Sequence, residues 1–243
     1  MRNYRLAGVI VLDLLLTSLT GWGQQNIKGS GYILTQQRNT KSFNTIEVSQ
    51  GIDVAVVQGN LQPLTIEADN NLFPYIKTQV KNQTLYISIP DSIRILKYAA
   101  MNVLISLPEL RGIKAHEHSR IDAFSQTWPV QNIYLEATTG ARIRIRLQAT
   151  RVQVEARTSS YVELKGQCQQ LNASLKTAAQ LEARELKTAK AFLALSIGAK
   201  AQIEVEQLLT YDLSGHSRLL IKGSPKIEDS SIISESKIVQ VKQ

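Results

Sequence analysis

Three groups of side chains in this 243-residue sequence are of types that do chemistry, and spacing tests each of them. His116-Glu117-His118 is the best local metal candidate, and His216 is the only other histidine. On an extended chain His116 and His118 point to one side while Glu117 faces away. That supplies two ligands at most, where a zinc site wants three or four. The expectation is an exposed polar turn without a bound metal. Glu163, Glu182 and Glu204 sit between apolar residues and should point outward in a column. Either a cation such as calcium or the nearby Lys165 and Arg184 must offset their repulsion, and the basic side chains are preferred. A sugar-cleaving pair of carboxylates needs about 5–9.5 Å between groups and a cleft for substrate, and the sequence shows no cleft.

Arg142, Arg144 and Arg146 alternate with Ile143, Ile145 and Leu147, with Arg151 following. At about 3.3–3.4 Å per residue the first three share one outward face over some 14 Å. Such a stripe can hold a sulfated or acidic polysaccharide or a lipid-borne phosphate. The plainer reading is a solvated strand face whose charge discourages edge aggregation. Cys168 is the single cysteine, so no intramolecular disulfide forms; it is placed at a corner, with no histidine near it to activate a thiolate. Glycine-rich phosphate loops, Ser-His-Asp arrangements and CxxC pairs are absent from the sequence.

A repeat positions all of these residues. Segments beginning at Arg111, Ile133, Val152, Leu171, Leu193 and Leu209 share one pattern, with starts 22, 19, 19, 22 and 16 residues apart. Apolar residues fall two and four residues in, a small residue eight in, and apolar residues again at ten and twelve. Two alternating apolar triplets per unit of about 20 residues indicate one turn of a stacked β-coil. In this frame His118 and His216 occupy equivalent places five coils apart, about 24 Å at 4.8 Å per strand, and cannot share an ion. Val130-Gln131-Asn132 and Leu186-Lys187-Thr188 interrupt the coils as corners or bulges. Upstream, Phe43 to Leu107 alternates less regularly. A short helical turn is expected at Leu72-Phe73-Pro74-Tyr75-Ile76, and Ser92 to Ala99 reads equally as helix or strand. The tail from Ile227 to Val241 is expected to add a last coil or a cap.

The residues fill a substantial core with short aliphatics: 43% are hydrophobic and 6% aromatic. Net charge is +8, which speaks first to solvation and only then to an anionic partner. Arg2 and Arg5, the apolar run Leu6 to Leu19 and Gly21-Trp22-Gly23 have the form of a signal peptide cleaved before Gln24. Fourteen apolar residues are short for a membrane span, and Asp13 interrupts them. The expected organisation is a signal peptide at 1–23 and a single β-solenoid domain at 24–243, without a transmembrane segment in the mature chain. Export and the scarcity of aromatics point away from nucleic acid.

Between Gly29 and Ile87 the sequence carries Gly29-Ser30-Gly31, Arg38, Phe43-x-x-Ile46-x-Val48, Gly51-Ile52-Asp53-Val54, Val56-Val57-Gln58-Gly59, Ile66-Glu67-Ala68-Asp69-Asn70-Asn71-Leu72 and Leu85-Tyr86-Ile87. In this it resembles the exported Bacteroidetes-type putative auto-transporter adhesins with a head GIN domain. The resemblance implies an all-β, right-handed parallel β-helix or β-solenoid with less regular N-terminal coils, in the periplasm, at the cell surface or outside the cell. It carries over no catalytic motif and no cofactor, and the cluster Arg142, Arg144, Arg146 and Arg151 is not part of its pattern. The functional expectation is a non-enzymatic adhesin or envelope scaffolding module that uses flat exposed faces. Its expected partners are an anionic envelope glycan or surface proteins. The alternative is a glycan-active lyase or hydrolase on a β-helix.

Overall fold

The computed structural model describes residues 24–241, so the expected signal peptide lies outside the described residues. Nine strands build the N-terminal part: β1 (Gln25–Lys28), β2 (Ile33–Arg38), β3 (Thr45–Val48), β4 (Asp53–Gln58), β5 (Leu64–Asp69), β6 (Lys77–Lys81), β7 (Thr84–Ser88), β8 (Ile93–Lys97) and β9 (Met101–Leu107). The coil stack follows with β10 (Gly112–Ala115), β11 (Arg120–Ala137), β12 (Arg142–Arg157), β13 (Tyr161–Lys176), β14 (Gln180–Ser196), β15 (Lys200–Leu213) and β16 (Arg218–Lys222). β17 (Lys226–Ile227), β18 (Ser231–Ile232) and β19 (Lys237–Val241) complete it. The fold is all-β, a solenoid of about 7 turns.

Strict alternation makes the stack. Ile121, Ile143, Val162, Leu181, Ala201 and Leu219 lie in register as one inward row, and Leu135, Val154, Ala173, Leu193 and Tyr211 as another. Each fully buried Leu, Ile or Val contributes about 1.5–3 kcal/mol, repeated coil after coil. The coils reverse through two-residue turns in the left-handed region, such as Thr139-Gly140, Thr158-Ser159, Thr177-Ala178 and Ile197-Gly198. These turns stack on one another. His118 N–H donates to Thr139 O, Gly140 to Thr158, Ser159 to Thr177, Ala178 to Ile197 and Gly198 to Gly215, at 2.7–2.9 Å. The chain re-enters the wall immediately after each turn, and only a small side chain fits there. Ser119, Ala141, Ser160, Ala179, Ala199 and Ser217 are all fully buried.

That row corrects the fifth repeat. Its small residue is Ala199, not Ala201, because Leu171 pairs with Ala191 and not with Leu193. A slip of two residues keeps every side chain on its own face, so the burial pattern could not reveal it. The extra residues of the longer repeats lie in bulges between Ala123 and Thr127 and between Ala183 and Lys187. The first is several residues before the expected interruption, and the second includes Leu186. Cys168 lies at a corner as expected, but the corner is a bend within β13, not a left-handed turn between coils. It faces inward from β13, between Ala149 and Thr188, and is buried. Gly166 and Gly223 mark places where strands approach too closely for a side chain. At φ +110 and +109, a Cβ there would lie 2.0 Å from Leu147 O and 2.2 Å from Val205 O.

The N-terminal strands belong to the same sheet system in a different order. β3 and β4 lie between β10 and β11 on one side and β7 and β9 on the other. The chain thus places its second coil outside the first, then returns to start the stack. The outer end is finished by antiparallel pairing of β5 with β9, β2 with β5, and β6 with β7, which occupies edges a parallel coil would leave open. Residues Asn70–Leu72 form a 3-10 helix just ahead of the expected turn, and β8 settles Ser92–Ala99 as strand, paired with β1.

Polar side chains fasten this cap. Asp69, fully buried, accepts from Gly31 N–H (2.7 Å), Ala99 N–H (2.9 Å) and Ala100 N–H (3.0 Å). Asn71 accepts from Ser30 N–H and donates to Lys28 O, both at 2.9 Å. Arg38 donates to Ile76 O (2.5 Å) and Phe73 O (3.0 Å). Gly29-Ser30-Gly31 and Asp69-Asn70-Asn71 are therefore parts of one fastening, and Arg38, at the other end of β2, makes a second.

Candidate binding surface

Outward side chains of β11 to β14 form ordered rows. Asp122, Arg144, Glu163 and Glu182 stand in register, one per coil. Arg144 is held from both sides, by Asp122 at 2.9 Å and Glu163 at 3.0 Å. Its guanidinium lies 4.5 Å from the centre of the Phe124 ring. The hydrogen bond that it donates to Glu163, then the charge of Asp122, raise its already high pKa against the cost of burial. Lys165 joins Glu163 (3.7 Å) and Glu185 (2.8 Å), and Arg184 joins Glu182 (2.8 Å). Basic side chains do neutralise the glutamates. The column itself is shorter than its spacing implied: Glu182 pairs with Gln202, while Glu204 pairs with Lys187 and bonds Lys222 at 3.1 Å.

The stripe is thus split. Arg142 and Arg146 flank the neutralised Arg144, both exposed, near Tyr161 (5.9 Å) and Phe124 (5.8 Å). Neither has a carboxylate within 4.0 Å among the described residues. Arg151 lies on the next wall, between Asn132 and Gln170, and does not join them. Toward the cap the same face opens into a trough of about 780 Å³ holding Arg142, Arg144, Asp122 and Glu67, with Asp53 bound to Arg120 at 3.3 Å. Burial raises the Asp53 carboxyl, against the opposing pull of Arg120.

The histidines are separate. His116 Nδ1 shares a hydrogen with Thr138 Oγ1 at 2.8 Å, His118 sits in a turn with φ 65, and His216 is exposed beside Glu235. No group of three His, Cys, Asp or Glu side chains is placed to hold an ion among the described residues. Burial pushes the Cys168 thiol up to about 11, the opposite of an activated thiolate.

The neighbouring wall carries a cluster not anticipated from the sequence. Tyr134 Oη donates to Glu136 at 3.1 Å, and Glu155, in register with Glu136, binds Arg157 at 2.7 Å. Burial first, then both carboxylates, raise the tyrosine pKa strongly. The repeat held the signal, since Glu136 and Glu155 each lie three residues into their coils.

Residues 42–225 match the family model described as putative auto-transporter adhesin, head GIN domain. The chain belongs to this family. Among solved structures this head GIN domain is similar to a putative adhesin from Bacteroides fragilis, at 21% identity and a TM-score of 0.83, covering 88% of this chain and 100% of that one. A putative adhesin from Parabacteroides merdae aligns at 14% identity and TM-score 0.72, over 89% of this chain and 99% of that one. A putative lipid binding protein from Parabacteroides distasonis aligns at 16% and 0.67, over 89% and 100%. At these identities the likeness establishes the fold of the head GIN domain. No curated protein matches it. Among the described residues no helix is long and apolar enough to cross a membrane.

Proposed function

We propose that this head GIN domain is an exported, non-enzymatic binding module that holds an acidic envelope glycan, or an acidic surface protein, against its flat outer face. Residues 1–23 direct export and 24–243 act as one domain, working in the periplasm, at the cell surface or outside the cell. The observation that carries the reading is the pair Arg142 and Arg146: exposed, braced by aromatic rings, and without a carboxylate partner among the described residues. Arg144 keeps the strand face flat between them, and Arg151 offers a further cation around the bend. Binding on a glycan array is the test. Wild type should retain uronate- or sulfate-bearing glycans, and Arg142→Ser with Arg146→Ser should lose them. Absence of signal from every acidic glycan would sink the proposal.

A glycan-cleaving enzyme is the alternative, favoured only by the Tyr134, Glu136 and Glu155 cluster. Release of reducing ends or unsaturated products from a bound polysaccharide, abolished by Glu136→Gln, would establish it over simple binding.

A further inference from the structure

We propose that the groove along the bend of β11 to β14 is a second binding site, one that takes an uncharged, hydroxyl-rich polysaccharide strand. The groove measures about 650 Å³, within the usual range for ligand sites, and crosses the four successive coils of β11 to β14, with Glu206 of β15 at its end. At about 4.8 Å per coil it runs some 14 Å along the solenoid axis, enough for about three sugar units laid end to end.

Its walls differ in kind from the charged face beside it. Gln148 and Gln167 stand in register on one side, and Gln131, Thr150 and Gln169 line the other. None of these four glutamines makes a side-chain hydrogen bond within the protein among the described residues, whereas the neighbouring Gln170 is tied to Asn172 at 3.0 Å. Every primary amide offers both donors and acceptors, the combination that pairs with sugar hydroxyls, which also do both. An arginine row can only donate. Lys187 and Glu206 are the only charges on the lining, and they are of opposite sign. A strongly anionic polymer gains little there.

The floor makes no competing demand. It consists of Val130, Ala149, Cys168 and Thr188. Thr188 donates to Leu186 O at 3.1 Å and meets the Cys168 sulfur at 3.6 Å. The amides are therefore held on a rigid, internally satisfied base. A ligand bridging Gln148 and Gln167 meets two groups already set one strand spacing apart.

The site is independent of the arginine reading, and affinity electrophoresis through soluble polysaccharides separates the two. The purified protein should be retarded by at least one of galactomannan, xyloglucan, laminarin or dextran. Gln148→Ala with Gln167→Ala should weaken that retardation about tenfold or more, as expected for two lost hydrogen bonds. Thr150→Trp, which fills the groove from a different wall, should abolish it. Arg142→Ser with Arg146→Ser should leave it unchanged while removing retention on acidic glycans. Three outcomes would overturn the inference: no retardation by any neutral polymer, retardation that survives both groove changes, or equal loss in the arginine variant.

Discussion

The coil stack from Gly112 to Lys222 and the cap from Gln25 to Leu107 obey different rules of stability. In the stack each coil rests on its two neighbours through the same inward rows and the same left-handed turn, so no single polar residue is indispensable. In the cap the strands change order and direction, and a few side chains each gather several backbone groups. Repetition spreads stability along a solenoid, whereas an end must be finished by contacts that occur once.

The comparison can be broken at Asp69. Asp69→Ala should lower unfolding free energy by about 4 kcal/mol, since three backbone donors lose their partner in a buried site. Urea denaturation measures the loss. Hydrogen exchange should show opening near Gly31 and Ala99–Ala100 while β12 to β15 stay protected. A loss below about 1 kcal/mol would mean the cap is not fastened there. Burial raises the Asp69 carboxyl, yet the N–H groups of Ala100, Gly31 and Ala99 outweigh burial and hold it below the ordinary range. With the folded value depressed, its contribution is complete above the unfolded value of about 3.9 and is lost as pH falls through the folded one. Acid should therefore loosen the cap first. Asp69→Asn should flatten this pH dependence.

Within the stack, close approach should outweigh backbone conformation. Gly166→Ala sets a Cβ against the Leu147 carbonyl and should cost about 3 kcal/mol. Gly198→Ala, also at positive φ but with nothing within 4 Å, should cost only about 1 kcal/mol. The equivalent turn position already carries Ala178 and His118. Ile197, 62% exposed at φ 55, is the reverse case. Ile197→Asn should raise stability by about 1 kcal/mol, because asparagine tolerates the left-handed region and a β-branched side chain does not. Thermal melts of the three variants, ranked against wild type, decide whether turn strain or close approach dominates.

These contrasts also explain what the sequence could convey. Alternation with period two put Ile143, Val162 and Leu181 inside without ambiguity, but it could not distinguish Leu193 from Ala191 as a repeat start, since both face the core. The Asp69 fastening joins residues 30 to 38 positions apart with no periodicity, so only the individual motif residues were visible, not their contact. The neutralisation of Arg144 was legible in the repeat frame, although the stripe reading treats it as a free cation. Asp122, Arg144 and Glu163 each lie eleven residues into their coils, the same frame that aligned Glu163 with Glu182. The glutamine groove was hidden for another reason. Its depth comes from a bend that leaves Thr150 and Arg151 both outward, and alternation alone does not foresee where parity breaks.

The smallest expected effect on stability tests the assignment of function to the outward rows. Arg144 and its partners are partly open to water, and such surface pairs contribute about 0–1 kcal/mol each. Glu163→Gln should therefore cost about 0.5 kcal/mol, with Asp122 still holding one side of the guanidinium. Its effect on binding should be larger and opposite in sense. Removing that carboxylate leaves Arg142, Arg144 and Arg146 as three cations on one face with one acid between them, and retention on acidic glycans should rise. Titration of a sulfated oligosaccharide against wild type and Glu163→Gln, beside a urea curve for each, gives both numbers. A variant that loses stability without gaining affinity would assign the row to packing. A gain in affinity at nearly constant stability would assign it to recognition, because in a repeat whose core is so redundant the exterior can change with little cost to the fold.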